Sequence, residues 1–442
     1  MAHKRINTEW KSKRAKVFAD IIHKNCVKGK QLQNLLPKLS LDLKSEVIQQ
    51  IDKNQSVHQV TKTGNVEIVK EMLAFGVNPN SLNSEGLSPL HIACQKRYAE
   101  VVEELLENGA NPNLKSTHKN KSPLHYAFEN GYDDEGSEIN KKTISIVNCL
   151  LKYSCEIDAQ TDYGESPLYV ASFMGNISAV KILLDNGAKI IFCNNDSALH
   201  AAVEFGSTEI IEALAKHNVD LNDKGTVDLT PLQLAAMVGQ FASVKKLLEC
   251  GVDVNSTSNP DVPSALHFAC DMGHFEIVKL LLQFGAKTDF PGMDIESPIH
   301  KATKYHHLHV LKLLLKHGAN VDVITAKGTT ALHIATIDGN VAIVKELLKY
   351  GANVNARELN GDTVMHKAIM NFYSPYGSSL ATMQVLLENE NLDWNVRNGN
   401  NMTPLELAII ETRNLDLIRI IAKKMCPTPK ISDSIYPLKH FL

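Results

Sequence analysis

Residues 328–355 read GTTALHIATIDGNVAIVKELLKYGANVN. Thr330 stands where a helix N-cap is wanted, with its hydroxyl able to accept a backbone N–H of the first turn. Ala331, which follows it, opens a short helix whose small residues form one thin, closely packing face. A Gly-Asn turn breaks that helix. A second one follows, with apolar residues recurring at i, i+3 and i+4, as Ile277, Leu280 and Leu281 do in a sister segment. Gly351 supplies the left-handed C-cap, and the polar NVN that follows is a turn. Neither helix can bury its apolar face alone, so such a unit is stable only when stacked on copies of itself.

Copies are present along most of the chain. The tetrapeptide recurs as SPLH at Ser88 and Ser122, SPLY at Ser166, SALH at Ser197, TPLQ at Thr230, SALH at Ser264, SPIH at Ser297, TALH at Thr330, TVMH at Thr363 and TPLE at Thr403. Its fourth positions lie 34, 44, 31, 33, 34, 33, 33, 33 and 40 residues apart, and His58 marks a degenerate earlier copy. Gly76, Gly109, Gly187, Gly251, Gly285, Gly318 and Gly351 keep the same beat behind Leu-rich segments. This pattern over residues 52–425 resembles the ankyrin repeat, in about eleven copies. The resemblance implies an all-α solenoid of stacked helix–turn–helix–β-hairpin units. It also implies a concave protein-binding face made of hairpins and first helices, and a local structural role for His91, His125, His200, His267, His300, His333 and His366.

Departures from the pattern mark loops. About eleven extra residues near 132–142 and about seven near 372–379 read as protrusions between the two helices of their units. The fifth unit is two residues short near Cys193–Asp196. Residues 1–51 are outside the pattern. The first 50 hold eleven Lys/Arg against four Asp/Glu, leaving 35 basic against 45 acidic residues elsewhere within an overall net charge of −3. They read as a basic helical cap on the first unit, with Val17, Ile21 and Ile22 inward and further apolar surface from Leu32 to Leu43. A nuclear-import or anion-binding segment is the alternative. Residues 426–442, ending YPLKHFL, form a tail that packs on the last unit or, faintly, resembles the end of a ligase-recruiting SOCS box.

Chemistry is sparse. No phosphate loop, nucleophile elbow, HExxH or kinase motif set occurs, so neither catalysis nor a cofactor or metal is expected. The cluster Tyr305–His309 falls on an inter-helix turn without a Cys or carboxylate at ligand spacing. Eight cysteines without a CxxC pair, and no apolar leader or long apolar run, point to reduced thiols in the cytoplasm, extending to the nucleus.

A binding surface is legible by position. The last residues of successive first helices include Phe173, Met174, Phe205, Met237, Met272, Tyr305 and Ile337, large side chains where solvent-facing ones should be polar. Before the tetrapeptides stand Glu165, Asp196, Asp228, Asp261, Asp294 and Glu296, whereas Lys96, Lys119 and Lys121 make the N-terminal end basic. One reading is a partner-binding groove for a protein segment that is apolar and basic; the other is that the apolar residues pack on the next repeat and the acids cap turns. The sequence thus describes a monomeric, non-catalytic scaffold or adaptor for proteins. No small-molecule substrate, nucleic acid or membrane insertion is expected. A cullin-type ligase receptor, or an inhibitor of an enzyme or transcription factor, are the alternatives.

Overall fold

A computed structural model of the 442-residue chain describes residues 2–27, 41–53, 56–129, 138–190, 196–217, 219–225, 228–257, 261–289, 296–372, 380–412 and 415–425. The chain divides into two compact units, Met1–Pro231 and Leu232–Leu442. In the first, α1 (Ala2–Val27) and α2 (Leu41–Lys53) precede five helix pairs: α3 (Ser56–Thr63) with α4 (Val66–Phe75), α5 (Pro89–Lys96) with α6 (Ala99–Glu107), α7 (Pro123–Tyr126) with α8 (Glu138–Lys152), α9 (Pro167–Phe173) with α10 (Ile177–Asp185), and α11 (Ala198–Phe205) with α12 (Thr208–Lys216). The second, entered through α13, holds six: α13 (Pro231–Val238) with α14 (Phe241–Glu249), α15 (Ala265–Asp271) with α16 (Phe275–Gln283), α17 (Pro298–Lys304) with α18 (Leu308–Lys316), α19 (Ala331–Ile337) with α20 (Val341–Lys349), α21 (Val364–Met370) with α22 (Leu380–Leu387), and α23 (Pro404–Glu411) with α24 (Leu415–Met425). No strand is formed among the described residues. The expected hairpins are tight turns, such as Glu358 N–H to Asp362 C=O at 2.9 Å, beside one isolated bridge between Arg357 and Thr363.

The tetrapeptide histidine explains the stacking. At Ser88 the hydroxyl accepts the His91 N–H, and His91 Nδ1 accepts the Ser88 N–H at 3.1 Å. With Nδ1 an acceptor, Nε2 carries the proton and donates it to the Lys121 carbonyl of the next repeat at 3.1 Å. His125 reaches Glu165, His200 reaches Leu229, His300 reaches Thr329 and His366 reaches Met402 in the same way. Gln233 makes the equivalent bond to Pro263 at 2.8 Å. Burial pushes these imidazoles down, to about 4 for His91, His125 and His267, so they are neutral at pH 7.

A second ladder uses the Asn/Asp marker. Asn80 Oδ1 accepts the Asn111 N–H at 2.7 Å, Asn255 accepts that of Lys287 at 2.9 Å, and Asp322 that of Asn353 at 2.8 Å. Between these ladders lies an apolar core. First helices contribute alanines such as Ala269 and Ala335, and second helices contribute residues such as Val278, Leu281, Val344 and Leu347, all fully buried. Small residues on one side let the helices approach closely.

At the N-terminus the inward face of α1 is Ala15, Ala19 and Ile22, and α1 packs on α2, whose Val47 and Ile51 are also buried. Val17 and Ile21, expected inward, are exposed. The helix presents the 15/19/22 stripe because small residues there permit close packing. His23 Nδ1 lies 2.9 Å from Ser56 Oγ on α3. The apolar residues 32–39 lie outside the described residues, as do 426–442 and the insertion 373–379. Of the first insertion, residues 138–142 are helical: α8 has 15 residues against nine in α10, and Asn140 Nδ2 donates to Ser178 Oγ at 2.9 Å.

Candidate protein-binding surface

Each first helix ends as its inward alanines run out, so the final side chains emerge beside the inter-helix turn. In the first unit Phe173 is 43% and Phe205 41% exposed, on consecutive repeats. Phe173 stacks on Tyr169 at 6.4 Å, and the half-buried Met174 caps α9. Phe205 lies directly over Gly175 of the preceding repeat, where a Cβ would collide with its ring. Phe205 therefore packs between repeats as well as facing solvent.

The acids of this unit differ among themselves. Glu165 accepts the Thr161 hydroxyl at 3.2 Å and is half-buried. Asp196 stands beside His200, close enough to oppose the downward push of burial on that imidazole. Asp228 is exposed, with φ 55°, in the left-handed conformation that Asp tolerates. Glu165 and Asp228 join no ion pair among the described residues. Of the basic residues, Lys121 pairs with Glu129, and Lys119 lies 5.4 Å over the Tyr163 ring.

In the second unit Met272 is 51% and Tyr305 46% exposed, whereas Met237 and Ile337 are half-buried. Here some of the acids are matched. Lys301 Nζ lies 3.5 Å from Asp271 and 3.4 Å from Glu296, and Lys304 Nζ lies 3.3 Å from Glu296. Burial pushes the Glu296 carboxyl up, but these two ammonium groups outweigh it and hold the group below its ordinary value. Lys367 likewise lies 2.8 Å from Glu358 and 3.4 Å from Asp362. Asp261 is exposed, and Asp294 lies outside the described residues. At Glu296, then, lysines of its own repeat already reach the carboxylate.

Among the exposed aromatics that went unread in the sequence are Phe241 and Phe275, which open α14 and α16. They stand at the first position of a second helix, where the marker pattern prescribes no residue type; only their size distinguished them.

Other groups do not converge. His306 bonds Asn340, His307 bonds the Asp271 carbonyl, and His309 meets Phe275 edge-on, three different neighbours. Among the described residues no group of three His, Cys, Asp or Glu is placed to hold a metal. Cys94 and Cys270 are fully buried, and burial pushes both thiols up, away from the reactive thiolate. A hollow of about 450 Å³ beside Tyr98 sets Arg97, Lys141 and Lys142 against Glu100 and Glu138, with no shared focus. No helix among the described residues is long and apolar enough to cross a membrane.

A comparison with protein families agrees with this architecture. A family model described as ankyrin repeats (three copies) matches seven overlapping stretches between residues 57 and 375. The ankyrin repeat protein nuc-2 of Neurospora crassa is 29% identical over 234 residues, 52% of this chain and 21% of that protein. Neurogenic locus notch homolog protein 2 of Homo sapiens is 33% identical over 160 residues, 35% of this chain and 6% of that protein. The chain therefore spans about a fifth or less of the length of these curated relatives. The crystal structure of the human ASB11 ankyrin repeat domain aligns with a TM-score of 0.44 at 29% identity, covering 52% of this chain and all of that one. Ankyrin arrays are protein-interaction modules, generally without catalysis. With its repeat spacing, its two hydrogen-bonded ladders and a matching family model over most of its length, the chain belongs to the ankyrin-repeat family.

Proposed function

We propose that this chain is a non-catalytic scaffold or adaptor that holds a partner protein against the ends of its first helices. The observation that carries the reading is the recurrence of large, exposed apolar side chains at the ends of first helices: Phe173 and Phe205 in the first unit, Met272 and Tyr305 in the second. Soluble chains seldom gather exposed apolar residues on one part of their surface without a use for them. Apolar anchors supply most of the affinity, and charges set encounter rate and selectivity. In the first unit, Glu165 and Asp228 favour a partner segment that also carries Lys or Arg. The free cysteines suit a reducing compartment, and we place the chain in the cytoplasm.

The test is calorimetric, with a partner recovered by affinity purification and mass spectrometry. Phe173→Ala, Phe205→Ala and Tyr305→Ala each weaken binding by about 1–3 kcal/mol where the residue is an anchor. Unchanged affinity in all three rejects the reading.

A further inference from the structure

Five exposed apolar side chains of the second unit collect where each first helix hands over to its second. Val238 ends α13 and Phe241 opens α14; Met272 caps α15 and Phe275 opens α16; Tyr305 caps α17. Phe241 is 43% and Phe275 37% exposed. Imidazoles fill the ground between the repeats. His274 lies against Gly239, where an added Cβ would come within 2.7 Å of the ring. His307 lies against Gly273 and bonds the Asp271 carbonyl at 3.0 Å. Tyr305 stacks on His307 at 6.4 Å, and Phe275 meets His309 edge-on at 6.5 Å. The anchors therefore stand on a floor that bridges one repeat to the next.

Most charges around this patch are paired. Lys301 and Lys304 are matched by Asp271 and Glu296, Glu276 has Lys279 at 4.0 Å, and Lys312 has Glu346 at 3.7 Å. A basic partner gains little here, and neither does an acidic one.

The geometry points to an amphipathic helix of a partner protein as the occupant, lying along the repeats with an apolar, uncharged face against Val238, Phe241, Met272, Phe275 and Tyr305. This rests on the protein-binding reading above and specifies the partner's chemistry for the second unit. Width argues for a helix: two repeats each offer two exposed anchors three residues apart, one from each of their helices, which is more than the single side-chain row of a strand covers. Pitch argues the same way. Packed helices lie about 8–10 Å apart, and seven residues of an α-helix advance about 10.5 Å, so one apolar position every two turns meets each repeat. Charge balance argues for a neutral face, in contrast to the basic segment expected from the sequence.

The test is a displayed library of helical peptides about four turns long, with apolar positions held as large apolar residues and the polar positions free, selected on the full chain. The enriched pool is expected to show no excess of Lys or Glu, and its affinity to change less than about twofold between low and high salt. The double variant Phe241→Ala/Phe275→Ala is expected to weaken it at least about tenfold, while Ile324→Ala, at an exposed apolar residue outside the patch, leaves it unchanged. Thermal unfolding of the double variant shows whether it remains folded; Phe275→Gln alone, which keeps bulk but loses the apolar surface, provides the second variant. No enrichment, a Lys-rich pool lost at high salt, or equal affinity for the double variant overturns the inference. So does binding that requires removal of residues 426–442, which assigns the patch to the chain's own tail, or a self-association that the double variant dissolves. If Tyr305→Ala weakens a natural partner while the Phe241/Phe275 variant does not, the scaffold reading stands and this inference alone falls.

Discussion

The two units carry the same repeat and present different surfaces with it. In the first, Phe173 and Phe205 share their flank with Glu165 and Asp228, neither of which joins an ion pair among the described residues. In the second, Met272 and Tyr305 belong to repeats whose carboxylates Asp271 and Glu296 are already taken by Lys301 and Lys304. The difference lies in the first helix. A lysine at its fourth or seventh position reaches back to the turn before it, as Lys301 and Lys304 do to Glu296. The corresponding residues of α9 and α11 are Val170 and Phe173, and Ala201 and Glu204, none of them basic. Identical folds therefore tell nothing about charge at the surface; two side chains per repeat decide it.

What the units share is expected to show the largest effect. Their stacking histidines are neutral when folded and have an ordinary pKa of about 6.5 when unfolded. Unfolded chains thus bind more protons in the window between about 4 and 6.5, and stability is present above that window and lost as pH falls through it. For His91 and His125, held down to about 4, lowering the pH from about 7 to about 5 costs about 2 kcal/mol each. The pair His91→Gln and His125→Gln, which copies the natural Gln233, is expected to lose this acid sensitivity in the first unit. Urea titrations at both pH values with hydrogen-exchange readout check it, and an unchanged pH slope breaks the argument.

A smaller effect separates the two kinds of exposed apolar residue. Phe205→Ala removes a ring that covers Gly175 and is expected to destabilise the first unit by about 1–2 kcal/mol, below the range for fully buried aromatics because the ring is partly exposed. Met272→Ala, on a residue half in solvent, is expected to change stability by less than about 0.5 kcal/mol. Chemical denaturation of both variants checks the contrast; equal losses would mean that Met272 too is a packing residue.

The smallest effect tests the charge comparison directly. Lys301→Met leaves Asp271 without its cation and Glu296 with Lys304 alone. Its stability cost is expected to be about 1 kcal/mol or less, since these pairs are partly exposed. Its signature is electrostatic: the second unit should acquire the salt-dependent attraction for a lysine-bearing peptide that Asp228 favours in the first. Peptide binding at two salt concentrations measures it, and no change in salt slope would show that Lys301 does not set the surface charge.

Repeat number, capping tetrapeptides, the polar turns and the exposed positions of Phe173, Phe205, Met272 and Tyr305 were legible because each depends on local spacing. The cap helix misled at Val17 and Ile21, since a lone helix does not say which stripe its neighbour will cover. Ala15 and Ala19 won that place because they are small enough for close approach. Phe241 and Phe275 were passed over because a helix's first position is open to almost any residue, and their adjacency to Val238 and Met272 exists only across the turn.

The sequence by itself determined that the chain is a stack of helical pairs, because a 33-residue beat of caps, breakers and apolar positions permits no other way to bury those faces. Tertiary structure alone decided which carboxylates are balanced, which rings cover a neighbour's glycine and which side chains stand together as a patch. Those outcomes depend on distances between residues some thirty positions apart, such as Asp271 and Lys301, that only the packing of one repeat on the next brings to 3.5 Å.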